Sequence, residues 1–245
     1  MAFSTKKPVL RVGTQSGEID QYETTGSYTR IGSVPGQSPG SHLCSVLFPN
    51  SDLFALSVNV ENTARVDLPT GRRVKLSDVG LNSVACLSPI GDSILGIQGI
   101  SPQLRSVNTF TGNSHSIALG RSRRPVAMTE SVDGKTAYIS FQNGEIDAIN
   151  LDSGRLSWEK ASHQGVAERL AVFPDGQTIL SGGQDGSLCL WDVNAGTLLR
   201  TLYTDAGPIS QIAISVDGSL LLVSGSSSRE VYKWDLSDVA RTNDP

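Results

Sequence analysis

The chain has 245 residues, 38% of them hydrophobic, with 25 glycines and a net charge of −4. That hydrophobic share excludes a disordered chain, and the small charge excludes a global field drawing nucleic acid or anionic membrane. No apolar run nears the roughly 20 residues that span a bilayer, and glycines spread along the chain suit many short strands in one all-β domain.

The N-terminal stretch MAFSTKKPVL holds two lysines with no apolar segment behind them, so it does not read as a secretory leader. Beyond it, six stations recur: Tyr22-Glu23, Val66-Asp67, Val107-Asn108, Ile149-Asn150, Trp191-Asp192 and Trp234-Asp235. Their intervals are 44, 41, 42, 42 and 43 residues, and a glycine follows each of the first five, at Gly26, Gly71, Gly112, Gly154 and Gly196. A period of this length that ends in Trp-Asp points to a β-propeller array, whose units bury their apolar faces only against one another. The units run over about 1–35, 36–77, 78–119, 120–160, 161–203 and 204–238, with a short polar tail at 239–245.

The first unit opens directly on a strand, Pro8 to Thr14. Units two, three and four share a first turn, at Phe48-Pro49-Asn50-Ser51, Ser88-Pro89-Ile90-Gly91 and Ser131-Val132-Asp133-Gly134. Unit two has a longer polar hairpin at Asn59-Val60-Glu61-Asn62, and unit four begins on the basic loop Arg121, Arg123 and Arg124. The fifth unit is the most regular: strands over Ala167 to Phe173, Thr178 to Ser181, Ser187 to Asp192 and Thr197 to Leu202, with turns at Pro174-Asp175-Gly176 and Gln184-Asp185-Gly186. Proline presets φ early in a turn and glycine accepts φ > 0 at its end. The sixth unit stops after its third strand, Glu230 to Asp235. The tally predicts an inner strand missing from the first unit and an outer strand missing from the last. Either Met1 to Lys7 or the tail Ser237 to Pro245 supplies a degenerate strand, or an open edge accepts one from a partner.

From about Lys160 to Leu236 the chain resembles the WD40 repeat family, and the rest fits the same period more loosely. The resemblance implies a WD40-like β-propeller of six blade units, open or incompletely closed. It also implies a structural tetrad of His163, Ser181, Asp185 and Trp191, which stand at offsets 0, 18, 22 and 28. In the family the indole reaches the serine, the serine the histidine and the histidine the aspartate. The sixth unit keeps a partial tetrad, Ser224 and Trp234, with Ala206 and Ser228 at the other stations.

Ser181, His163 and Asp185 also match a hydrolase triad in composition, but no nucleophile-elbow sequence surrounds Ser181. The segment Leu151 to Trp158 resembles a quinoprotein propeller repeat, yet only one unit shows it. Cys44, Cys86 and Cys189 fall in predicted strands and read as buried thiols of a reducing compartment, cytoplasm or nucleus. Neither a metal site nor a cofactor is expected. The resulting expectation is a non-catalytic interaction scaffold in a multiprotein complex, bound through blade-face loops and an open edge to which a partner donates a strand or blade. Candidate partner-binding residues are Arg121, Arg123, Arg124, Asn59, Glu61, Arg169 and Arg229. The alternative is a phosphopeptide or RNA-backbone adaptor built on the arginine loop, because a guanidinium fork suits phosphate. Nucleic acid is not the favoured partner, and membrane insertion is not expected.

Overall fold

The computed structural model describes residues 2–3, 9–13, 19–23, 29–34, 44–47, 54–58, 63–67, 73–75, 84–88, 93–97, 103–120, 123–161, 163–215, 217–227 and 230–236. Among the described residues there are 23 β-strands and no helix. The chain divides into two compact units, Met1–Ala118 and Leu119–Pro245.

The first unit holds three four-stranded antiparallel meanders. They comprise β1 (Ala2–Phe3), β2 (Val9–Gly13), β3 (Ile19–Glu23) and β4 (Arg30–Val34); β5 (Cys44–Leu47), β6 (Phe54–Val58), β7 (Thr63–Asp67) and β8 (Arg73–Lys75); and β9 (Val84–Leu87), β10 (Ser93–Ile97), β11 (Gln103–Asn108) and β12 (Ser114–Ala118). In the third sheet Ile94, Leu95, Ile97, Leu104 and Val107 are sealed from water, and each stabilises by about 2 kcal/mol through its burial. Of the alternatives the sequence leaves for the first repeat, the structure has the segment Met1 to Lys7 supplying a short inner strand, because Ala2 pairs with Arg11 and Phe3 with Leu10. The pairing reaches two of the five residues of β2, and so short a strand carries no periodicity of its own.

The second unit holds two further meanders: β13 (Pro125–Glu130), β14 (Thr136–Phe141), β15 (Glu145–Asn150) and β16 (Leu156–Ala161), then β17 (Ala167–Val172), β18 (Thr178–Gly183), β19 (Ser187–Asp192) and β20 (Leu198–Tyr203). A last sheet has three strands, β21 (Ile209–Ile214), β22 (Leu220–Gly225) and β23 (Val231–Asp235). The middle strands β14, β15, β18 and β19 are buried almost end to end, whereas β16 and β20 are largely exposed. That gradient follows from sheets packed face against face: interior strands are covered on both sides and therefore run nearly continuously apolar.

Two apolar clusters join the three sheets. Tyr138, Ile146, Ala148 and Trp158 pack with Ile179, Cys189 and Trp191, while Leu180, Leu188 and Leu190 pack with Ile209, Leu221 and Val223. The recurring Asp or Asn station also has a local cause. The Asp192 carboxylate accepts the Asn194 and Ala195 N–H groups at 2.9 and 2.7 Å, and Asn150 accepts Ser153 N–H at 2.8 Å, so the residue caps the turn into the fourth strand. Gly196 closes that turn at φ +62°, where a Cβ would lie 2.6 Å from the Trp158 ring. The turn thus needs glycine both for its backbone and for its neighbour.

The first strand of each of these sheets is irregular at the same place, between Pro125 and Ala127, Ala167 and Arg169, and Ile209 and Gln211. An extra residue there leaves backbone groups outside the ladder, and neighbouring side chains reach them. The Ser140 hydroxyl donates to the Ala167 carbonyl at 2.8 Å, and Arg169 Nε donates to the Ser210 carbonyl at 2.6 Å. Each of these bonds runs from one sheet to the next.

Candidate functional site

The fifth repeat's polar set lies at the boundary between sheet interior and solvent. Strand β18 places Ser181, β19 ends on Trp191, the β18–β19 turn carries Asp185, and the segment before β17 brings in His163. The Trp191 indole N–H donates to Ser181 Oγ at 3.0 Å, and Ser181 Oγ lies 2.8 Å from His163 Nε2. On the other side, His163 Nδ1 is 2.8 Å from Ser187 Oγ and 3.2 Å from Asp185 Oδ1. The Ser187 hydroxyl donates to Asp185 Oδ1 at 2.7 Å. Donor accounting fixes the histidine: Ser181 gives its proton to Nε2, and Nδ1–H points at Ser187 and Asp185. Asp185 Oδ2 then accepts the Gln164 N–H at 3.0 Å and ties down the incoming loop. Ser187, which the sequence pattern does not single out, is therefore a fifth member.

Gly183 makes room for this ring. A Cβ there would lie 2.4 Å from His163 Nδ1 and 2.5 Å from Asp185 Oδ1. The chemistry open to the set is narrow, because Ser181 is fully buried and the His163 side chain has no exposure. A nucleophile must reach its substrate; this serine is spent between an indole and an imidazole. Burial holds His163 below its ordinary pKa despite the nearby Asp185. Burial also works against ionisation of Asp185, but hydrogen bonds from Ser187 and Gln164 outweigh it and hold the carboxyl below its usual value.

The sign of the resulting pH dependence is clear. Below about pH 6.5 the unfolded chain takes up a proton that folded His163 resists, so stability falls with falling pH and levels off beneath the depressed folded value. Asp185 adds a further loss as pH drops through the carboxylate range. We expect the melting temperature to fall between pH 7.5 and 5.5, and His163→Asn to flatten that fall while lowering the plateau. An undiminished slope in His163→Asn, read by circular dichroism, would contradict this assignment.

The partial set in the sixth repeat is wired differently. Ser224 Oγ lies 3.1 Å from Ser210 Oγ, and Ser210 also donates to the Ser224 carbonyl at 3.0 Å. Trp234 stacks on Tyr232 with ring centroids 6.1 Å apart. Ala206 fills the histidine station so closely that a Cβ on Gly225 would meet its carbonyl at 1.7 Å.

Of the candidate partner-binding residues, Arg121, Asn59, Glu61 and Arg229 lie outside the described residues. Arg124 is exposed. Arg123 requires a correction. Its side chain is only 15% exposed, lies 4.1 Å over the Phe141 ring, and pairs with Glu145 at 2.6 Å, with Asp147, and with Glu159 at 3.8 Å. The cause is strand alternation: Glu145 and Asp147, two apart on β15, share the face that Arg123 crosses. Burial works against both charges. It pushes the Asp147 carboxyl up against the pull of Arg123, while the guanidinium is held more firmly charged by Asp147 and Glu145. The guanidinium direction governs the pair, since arginine stays protonated at any working pH. Arg123 thus clasps the fourth repeat, where Ile139 and Ile149 occupy places equivalent to Ser181 and Trp191.

Arg169 is intermediate. Its Nε is spent on the Ser210 carbonyl, and Nη1 donates to the Glu168 carbonyl at 2.6 Å. It borders a cavity of about 440 Å³ with Glu168, Gln184 and Ser226. Cys189 is buried, and burial pushes its thiol up, which makes it unreactive. Among the described residues no group of three metal-ligating side chains converges.

The family model "WD domain, G-beta repeat" matches residues 158–192 and 196–235. A 120-residue stretch is 26% identical to human WD repeat-containing protein 36, covering 49% of this chain and 13% of that protein. An 89-residue stretch is 36% identical to the small ribosomal subunit protein RACK1 of Caenorhabditis elegans, covering 36% of this chain and 26% of that one. The matches thus span no more than about a quarter of these relatives. The β-propeller domain of Cps50 (Swd1) from Myceliophteria thermophila superposes on 96% of this chain and 81% of its own with a TM-score of 0.76 at 16% identity. That likeness shows the fold, a β-propeller whose blades are the antiparallel meanders, and the WD repeat itself is matched at 158–192 and 196–235.

Proposed function

From the premise that this chain carries WD40 repeats on the blades of a β-propeller, we propose that it is a non-catalytic docking subunit of a multiprotein complex in the cytoplasm or nucleus. One observation carries the reading. The side chains that resemble catalytic machinery are consumed inside a blade, with Ser181 fully buried and the His163 side chain without exposure. What remains for function is the rigid surface those bonds support: loops between strands and strand edges. A relative named as a small ribosomal subunit protein is itself a component of a larger particle, which supports the same role here.

The edge of β23 is a second docking element in this reading. It borders a three-stranded sheet, and Val231 is 65% exposed at its start. A partner strand adding there would extend the three-stranded sheet by backbone pairing. The phosphate-binding alternative is weakened, because Arg123 is already neutralised by Glu145 and Asp147.

The loop contribution is testable. A chain carrying Arg121→Glu and Arg124→Glu should lose severalfold in recovery of its co-purifying proteins, with the loss steepest at low salt. Recovery equal to that of the unaltered chain across the salt series would remove the basic loop from the interface.

A further inference from the structure

A cleft of about 460 Å³ lies between the fourth and fifth blades, on the face formed by their strand-joining turns. It is bounded by two aromatic rings, Tyr138 and Trp158, with centroids 5.9 Å apart. Val132 and Val193 add apolar wall, and Asp133 and Asp175 add a carboxylate from the first turn of each blade.

Two observations mark the cleft as built to receive something. Tyr138 is 98% buried, as its relative exposure of 2% shows, and lines the cleft, yet among the described residues no hydrogen bond reaches its hydroxyl. The ring is sealed but the hydroxyl opens on the cleft, so it is met there by water or by a ligand group rather than by a protein neighbour. Asp133 is bound through one oxygen: Oδ1 accepts the Ser131 hydroxyl at 2.6 Å and the Lys135 N–H at 3.1 Å, and Oδ2 accepts no hydrogen bond among the described residues. The Ser131 bond, ahead of opposing burial, holds this carboxyl below its ordinary value. Burial, then the charges of Asp133 and Asp192, push the Tyr138 phenol up to about 12. The cleft therefore joins an apolar wall of Val132, Trp158 and Val193 to a polar rim, with negative charge about a neutral hydroxyl. Lys135, itself exposed, is the nearby cation of the chain.

We propose that this cleft receives the side chain of a lysine or arginine from a partner protein. Its methylene stem lies along Val132, Trp158 and Val193, and its charge meets Asp133, Asp175 and the Tyr138 hydroxyl. Long basic side chains suit this division, burying the stem and presenting the head to acceptors. An anionic ligand would face two carboxylates, and a neutral apolar one would displace water from the hydroxyl and Asp133 Oδ2 without replacing its hydrogen bonds. The inference rests on the docking-subunit reading and adds the chemistry of one contact.

The test uses the full chain labelled with 5-fluorotryptophan, whose three tryptophans give three fluorine resonances. The Trp158 line, assigned with Trp158→Phe, should move saturably with butylguanidinium or butylammonium and not with 1-butanol. Asp133→Asn combined with Asp175→Asn keeps the turn-capping oxygens and removes both charges; it should weaken binding on the order of tenfold. Tyr138→Phe, which keeps the buried ring, should weaken it about threefold. Response to one cation alone identifies the residue type. The proposal is overturned by no shift with either cation, by an equal shift with butanol, or by unchanged affinity in Tyr138→Phe, which decides alone if the double variant does not fold. Such a result removes this contact and leaves the docking-subunit reading intact, since that reading stands on the composition of the native particle.

Discussion

Replacing Trp191 with alanine is expected to destabilise the Leu119–Pro245 unit by about 4 kcal/mol, within the range for deleting a buried indole. The side chain is 3% exposed, packs with Tyr138 and Ile146 of the preceding blade, and donates to Ser181. Its loss opens a cavity between two blades and strips the serine of one partner. Trp191→Phe keeps much of the packing and should cost about 1–2 kcal/mol, chiefly for the lost hydrogen bond and the smaller ring. Urea unfolding followed by circular dichroism reads both, with the midpoint shift taken at a common slope. A midpoint for Trp191→Ala within error of the parent would show that the blade does not depend on this network.

The second large effect is expected at Arg123. Its removal leaves Asp147, with a side chain 4% exposed, as a buried charge without its guanidinium. Breaking such a pair costs about 3 kcal/mol, whereas Arg124→Ala, at an exposed site, should stay within about 0.5 kcal/mol. Arg123→Met combined with Asp147→Leu should recover most of the loss, because neither charge is then stranded. In Arg123→Ala alone, the Asp147 carboxyl should titrate still higher. The folded state then binds a proton more readily than the unfolded, so the deficit should shrink as pH falls through that raised range. Equal stabilities for Arg123→Ala and Arg124→Ala would reduce Arg123 to the surface residue its sequence context suggests.

The contrast between these two sites shows what the sequence could and could not reveal. His163, Ser181, Asp185 and Trp191 are placed by rigid strands of fixed rise, so their spacing along the chain is also a spacing in the sheet. The same holds for the Asp and Asn stations that cap the turns. In sequence Arg123 belongs to a basic loop, because its acidic partners Glu145 and Asp147 lie over twenty residues away. Their position two apart on one strand was the available signal, as Glu145-Ile146-Asp147 alternates out of and into the sheet. Ser140 and Arg169 act on carbonyls of the next blade, and no spacing within one repeat encodes such a contact. Ser187 carries no sequence signal of its own, because a serine beginning a strand is common. Two-residue β1 carries too little pattern to be read from periodicity; only the count of strands per repeat points to Met1 to Lys7 as a source of the first blade's inner strand. The outer strand expected to be missing from the last blade is absent among the described residues, where β21–β23 stand as three.

The cleft between the fourth and fifth blades was illegible for a related reason. Its residues come from strand ends and turns of two repeats, and each taken alone reads as core aromatic or turn aspartate. Only their convergence brings a phenol hydroxyl to one cleft beside the carboxylates of two turns.

The mass of the native particle that contains this chain, measured by light scattering after gentle isolation from its own cells, bears most directly on the docking role. The expected result is a particle of defined composition, several times heavier than a lone chain, holding its partners at fixed ratios. A single chain migrating alone, with no protein held at constant stoichiometry, would contradict it.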